Sequence, residues 1–133
     1  MNIPVETSIA AWLRSLPAFD GIPVHTGQSA ETIPQDQPVL IAGCEATEAV
    51  AFGFYRTSAS IVLVTTSVIE NSLDAHTVLA DALRSSLLSA TGLDNAFTAA
   101  ALTLAGADLR SVDDSQSEGR WVTTAALTLA VTI

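Results

Sequence analysis

Apolar residues recur along this chain with two periods. Val5, Ile9, Trp12, Leu13 and Leu16 return every three to four positions, which stacks them on one side of a helix. Pro4 fits a first turn, Glu6 is an acid where the helix dipole favours one, and Pro17 cannot continue the pattern, so a helix is predicted over residues 4–16. Ala75, Val78, Leu79, Ala82, Leu83 and Leu87 form a second stripe of this kind. Ser72 as N-cap, Asp74 in the first turn, Asp81 and Arg84 on the wet side and Gly92 as the stop bound this helix to residues 73–90.

The other period is two. From Trp121 to Ile133, residues Trp121, Thr123, Ala125, Leu127, Leu129, Val131 and Ile133 share one face of a strand, the face expected to enter the core. Val122, Thr124, Ala126, Thr128, Ala130 and Thr132 share the other, which is small, uncharged and β-favouring. Such a face is expected either under an Ala-rich helix or against another subunit, which makes these six residues the candidate interface. Asp108–Asp113 pairs with this strand across the polar tip Asp114–Gly119 as an antiparallel hairpin. Earlier in the chain, short strands are predicted at Val39–Cys44, Ala49–Arg56 and Ser60–Val68, the last apolar on both faces as a central strand is, and Gly53 is read as a bulge.

Two stretches are less regular. Residues 17–38 hold four prolines, Gly21 and Gly27, leaving room only for an edge strand at Ile22–Thr26 and an exposed loop at Gly27–Gln37. Exposed loops carry recognition, so Gly27, Gln28, Glu31 and Asp36 are candidate partner contacts. Thr98–Leu104 is predicted as strand, although Ala96, Ala99, Ala100 and Ala101 favour helix. Helix, strands, long helix and hairpin in this order predict one α+β domain, with a mainly antiparallel sheet and two helices on one face.

Composition then removes functions. At 133 residues there is room for one core. All five basic residues are arginine, no lysine is present, and fourteen Asp and Glu set the net charge at −9. A Walker phosphate cradle and a Schiff-base enzyme both need lysine, and a non-specific nucleic-acid binder needs a cationic surface. The longest uncharged windows, Thr57–Ile69, Asn95–Ala107 and Trp121–Ile133, are 13 residues each, short of the roughly 18 or more that span a bilayer as a helix. No basic, apolar leader opens the chain, so a soluble protein with no membrane partner is expected. Cys44 is alone, which forbids an intramolecular disulfide and a Cys-x-x-Cys metal pair. Alanines, 22 of them, and 15 threonines exceed a quarter of the residues. Small side chains bury little area each, and packing against a second copy is one way to recover it.

Chemistry-bearing constellations are sparse. His25 and His76 have no His or Cys at ligand spacing and are read as structural or surface histidines. No Gly-x-Ser-x-Gly elbow accompanies the serines and threonines, and Cys44 sits in an apolar strand, where cysteine acts as a small hydrophobe. Asp113, Asp114 and Glu118 form an acidic hairpin tip that could hold a hard cation, but their spacing is not that of an EF-hand, and Arg110 and Arg120 flank them. A solvated turn is expected there. No catalytic residue, cofactor or metal is assigned, and a non-enzymatic protein is expected.

The chain resembles the phage tail terminator (tail completion) and minor tail-component proteins. The similarity lies in the N-terminal helix ending in Ala11-Trp12-Leu13, in Val24-His25-Thr26-Gly27 before a Pro-punctuated loop, and in the passage from Val62-Leu63-Val64-Thr65-Thr66 through Asp74-Ala75-His76 to Leu79-Ala80-Asp81-Ala82-Leu83. The hairpin from Asp108-Leu109-Arg110 through Glu118-Gly119-Arg120-Trp121 into Leu127-Thr128-Leu129 belongs to it as well. The resemblance implies an α+β virion subunit, assembled in the host cytoplasm into a homohexameric ring at the head-proximal end of the tail. That ring stops growth of the tail tube, contacts the tube protein and the neck connector, and lets DNA through without specific binding. The alternative left open by the residues is a dimeric α+β module that binds a ligand or a protein without catalysis.

Overall fold

A computed structural model describes residues 2–27, 38–67, 72–117 and 119–133. Helix α1 (Asn2–Ser15) leads through a 3₁₀ turn (Pro17–Phe19) into strand β1 (Val24–Thr26). Strands β2 (Val39–Ala51) and β3 (Phe54–Thr66) follow, then helices α2 (Ser72–Ser89) and α3 (Leu93–Ala99), and finally strands β4 (Thr103–Ser117) and β5 (Arg120–Thr132). The five strands form one sheet in the order β1-β2-β3-β5-β4. Only the β1–β2 pairing is parallel. This is the α+β architecture with a mainly antiparallel sheet, helices on one face and a closing hairpin.

The core lies between that face and the helices. From α1 it takes Val5, Ile9, Trp12 and Leu13, all at most 1% exposed, from α2 Ala80, Leu83 and Leu87, and from α3 Leu93 and Phe97. The sheet contributes Leu40 and Ala42, Ala59, Ile61 and Leu63, and Ala125, Leu127, Leu129 and Val131. The period of two in the last strand therefore sorts its residues as expected. Polar ties fix the helical layer. Trp12 Nε1 donates to Thr91 O at 2.9 Å, and Arg14 Nη2 donates to Val24 O at 2.8 Å.

Several boundaries differ from the sequence expectation. Val39–Cys44 and Ala49–Arg56 are not separate strands. β2 runs unbroken to Ala51, and Gly53 (φ 69°) sits in a hairpin turn instead of a bulge, so the predicted middle strand straddles the turn. The bulges lie beside it, between Cys44 and Ala46 and between Ala49 and Ala51. Thr98–Leu104 is not one strand either, since α3 holds its first two residues and β4 begins at Thr103. Ala101 takes the left-handed conformation (φ 61°) that breaks α3, and Ala90 (φ 48°) does the same after α2, ahead of Gly92. The buried stripe of α2 is His76, Ala80, Leu83 and Leu87, whereas Ala75 is exposed and Val78 is 69% exposed. The helix is rotated from the apolar stripe because a buried histidine holds it to the sheet. Glu6 lies beyond the first turn of α1. Its Oε1 accepts the Cys44 N–H at 3.0 Å, just past the last β1–β2 partners, Thr26 and Ala42.

Opposite effects are expected from one change made in both directions. A left-handed conformation costs a residue with a side chain about 1–2 kcal/mol, and glycine loses about 0.5–1 kcal/mol of chain entropy at any fixed position. Ala101→Gly should raise stability by about 0.5–1 kcal/mol and Gly53→Ala should lower it by a similar amount, read as midpoint shifts in urea unfolding.

Candidate functional site

The packing of α2 on the β4–β5 hairpin creates the most connected polar cluster of the described residues. His76 faces the sheet and is 4% exposed. Its Nδ1 lies 2.8 Å from Thr65 Oγ1 on β3 and its Nε2 lies 2.7 Å from Thr123 Oγ1 on β5. Thr123 donates its hydroxyl hydrogen to Asp114 Oδ1 on β4 at 2.6 Å, and Asp114 Oδ2 accepts from Arg84 Nη2 of α2. Arg84 also donates to Asp81, at 3.2 Å.

Counting donors fixes the tautomer. A carboxylate only accepts, so the single Thr123 hydrogen goes to Asp114 and Thr123 must accept from His76 Nε2–H. Nδ1 is then the acceptor of the Thr65 hydroxyl. Burial pushes the His76 imidazole below its ordinary value of 6.5. The Asp114 charge opposes this and Arg84 reinforces it. The Thr123 hydroxyl holds the Asp114 carboxyl below the usual carboxylate range against its partial desolvation, with help from Arg84.

Above this chain of bonds lies a cleft of about 290 Å³, with Leu73, Thr77, Ala80, Ser115, Gln116 and Trp121 among its lining. Trp121 Nε1 donates to Ser72 Oγ at 3.1 Å, so the first residue of α2 is pinned to the start of β5. The arrangement can hold a neutral imidazole in one tautomer and present a small, mostly apolar hollow beside it.

The other region of interest is the sheet face turned away from the helices. Val122, Thr124, Ala126, Thr128, Ala130 and Thr132 all lie on it and all are half-buried. Register places Val62, Ser60 and Ser58 of β3 opposite Thr124, Ala126 and Thr128. The β5 row is uncharged, but its neighbours are not. Arg56 is opposite Ala130, Asp108 opposite Thr128 and Asp113 opposite Thr124, and Arg110 Nη1 donates to Thr128 Oγ1 at 3.4 Å. Towards Val39 and Val64 the face is buried.

Of the acidic tip, the described residues Asp113 and Asp114 do not lie together. Asp113 and Asp114 are consecutive in β4 and point to opposite faces, Asp113 exposed and Asp114 turned to Thr123 and Arg84, while Glu118 lies outside the described residues. Of the loop candidates, Gly27 is exposed beside Glu6 and Gly43, and Gln28, Glu31 and Asp36 lie outside the described residues. Cys44 is half-buried, its thiol pushed up mainly by burial, with Sγ 3.7 Å from Thr47 Oγ1. No group of three or more His, Cys, Asp or Glu that could hold a metal occurs among the described residues, and none of their helices is long and apolar enough to cross a membrane.

The His76 cluster carried one signal in the sequence. His76 stands four residues before Ala80 and seven before Leu83, and Thr123 stands in the inward row of the last strand, so polar residues occupy core registers in both elements. Asp114 and Arg84 carried none, because they meet only through the packing of α2 on the hairpin. In comparison with known proteins, no family model and no curated protein matches the chain. One solved structure, of a protein whose name states no function, is similar at 17% identity with a TM-score of 0.47, covering 98% of this chain and 90% of that one.

Thr123→Val keeps the shape but leaves His76 Nε2–H buried without an acceptor, and should cost about 1–3 kcal/mol in denaturant unfolding. The unfolded chain protonates this histidine near pH 6.5 and the folded chain only at lower pH. Stability is therefore complete above that value and falls as pH drops below it, with Asp114 adding a further loss below its ordinary 3.8. Tm measured from pH 7 down to pH 5 should decline in the wild type, and His76→Gln should flatten that decline.

Proposed function

We propose that the chain is a structural subunit of a phage tail, a terminator that assembles as a homohexameric ring, closes the tail tube and joins it to the neck connector. The observation that carries this reading is the face of β5 formed by Val122, Thr124, Ala126, Thr128, Ala130 and Thr132. It is small and uncharged, and the helices pack on the opposite side of the sheet. An acidic chain repels its own copies, and an uncharged row is where two of them can meet without pairing like charges. The charged neighbours Arg56, Arg110, Asp108 and Asp113 rim that row, as polar residues rim an apolar contact. The order of helix, strands, long helix and hairpin, on which the resemblance to tail terminators rests, also supports the reading.

Six copies of a −9 chain carry −54, and acids facing a channel would repel the phosphate backbone and keep DNA sliding. A second reading, a dimeric module that binds a small ligand or protein, is favoured by the cleft beside His76.

Light scattering after size-exclusion chromatography separates the two. Six 13.8 kDa chains make a particle of about 83 kDa, whereas the binding module gives a two-fold dimer. Ala126→Glu, which places a charge on a half-buried site outside the main core, should return the hexamer to monomer while leaving stability within about 1 kcal/mol of the wild type. Electron microscopy of tails with no density for this chain at the head-proximal end overturns the terminator reading.

A further inference from the structure

The β2–β3 turn carries an apolar side chain that nothing among the described residues covers. Phe52 has a relative exposure of 109%, Val50 is 49% exposed and Ile133 is 73% exposed. Ile133 N donates to Gly53 O at 3.1 Å, which brings the last residue beside the turn. From Ala49 to Tyr55 there are seven consecutive residues without a charge. Soluble proteins scatter single apolar residues over the surface, but a fully exposed phenylalanine grouped with two more large apolar residues marks a contact site.

A receptor of fitting size lies at the opposite end of the same sheet. The cleft between α2 and the β4–β5 hairpin measures about 290 Å³ and includes Leu73, Ala80 and Trp121 in its lining. This is the small end of the roughly 300–1,000 Å³ range of ligand pockets, room for one aromatic side chain. Its arginine, Arg84, is already held by Asp81 and Asp114, so an anionic occupant gains little there. Phe52 cannot reach the cleft of its own chain. The turn adjoins Thr132 and the cleft adjoins Trp121, some eleven residues up β5, which at about 3.3 Å per residue is roughly 36 Å.

We propose that Phe52 of one copy seats in the α2/β4–β5 cleft of the next, a head-to-tail contact that acts with the β5 row in holding the ring. The proposal rests on the ring reading above. A knob and a hole on one chain that cannot meet within it generate a heterologous interface, the kind that closes into a ring when the rotation permits. Burying one phenylalanine removes about 150–250 Å² from water. That is about a quarter of the roughly 800 Å² each partner contributes to a standard interface, with Val50, Ile133 and the exposed Leu73 adding to it.

Cysteine cross-linking of the full chain tests the contact. Ala51→Cys, next to Phe52 at the turn and leaving its ring in place, and Thr77→Cys, on the cleft rim, are oxidised separately, mixed, and combined in one chain, with the wild type and its Cys44 as control. The expected result is a cross-linked dimer only in the mixture and a ladder in the double variant. Phe52→Ser should raise the concentration needed for assembly at least about thirty-fold with Tm unchanged, as for a contact hot spot. Links between two Ala51→Cys chains, or a Phe52→Ser chain that assembles like the wild type, overturn the proposal. So does a wild type that stays monomeric up to millimolar concentration. A hexamer that forms without a disulfide between positions 51 and 77 of the paired variants removes this contact and leaves the ring reading standing, whereas a linked ladder closing at a number other than six does the reverse.

Discussion

The pairing of β3 with β5 is the constraint on which the other contacts rest. It runs from Phe54 opposite Thr132 to Thr66 opposite Arg120 without a bulge, whereas β2–β3 and β4–β5 are each shifted twice. An unbroken antiparallel register fixes which side chains share a face, because a slip of one residue sends the whole set to the other side. Here it aligns Ile61 with Ala125 and Leu63 with Thr123 under the helices, and Val62 with Thr124 on the far face. The two strands are far apart in sequence, so their closure is entropically expensive and is offset by the core they complete.

One polar cluster runs from that core out to the surface and decides how α2 lies. His76 bridges Thr65 and Thr123 from the helix, and Asp114 and Arg84 close the chain of bonds back onto α2. A polar group that is buried without partners loses its hydration for nothing in return, and the helix turns to the angle that supplies them. The same turn exposes Val78 and Leu88 and opens the cleft beside Trp121. The packing of α2, the burial of His76 and the hollow beside Trp121 thus share one cause.

Much of the architecture was legible along the chain. α1, α2, the C-terminal hairpin and the two faces of β5 follow from periodicity alone, since three-to-four spacing and alternation are geometric consequences of helix and strand. What failed was local. Ala49–Arg56 reads as strand because every residue in it except Gly53 tolerates one, yet the chain reverses there. Ala96–Ala101 favours helix by propensity, and the strand beyond it begins only once Ala101 has taken a left-handed conformation. The grouping of Asp113 with Asp114 treated neighbours in sequence as neighbours in space, whereas successive strand residues face opposite ways.

By itself the sequence determined the class of the fold, the inward row of the last strand, the absence of lysine chemistry and the uncharged row on which the assembly reading rests. These depend on residue type and spacing, which are properties of the chain. Only the tertiary structure decided that His76 meets Thr65 and Thr123, that Asp114 meets Thr123 and Arg84, and that Phe52 stands at the far end of the sheet from the cleft. These depend on strand register and on how a helix settles against a sheet, and both are set by burial summed over distant residues, which no local window contains.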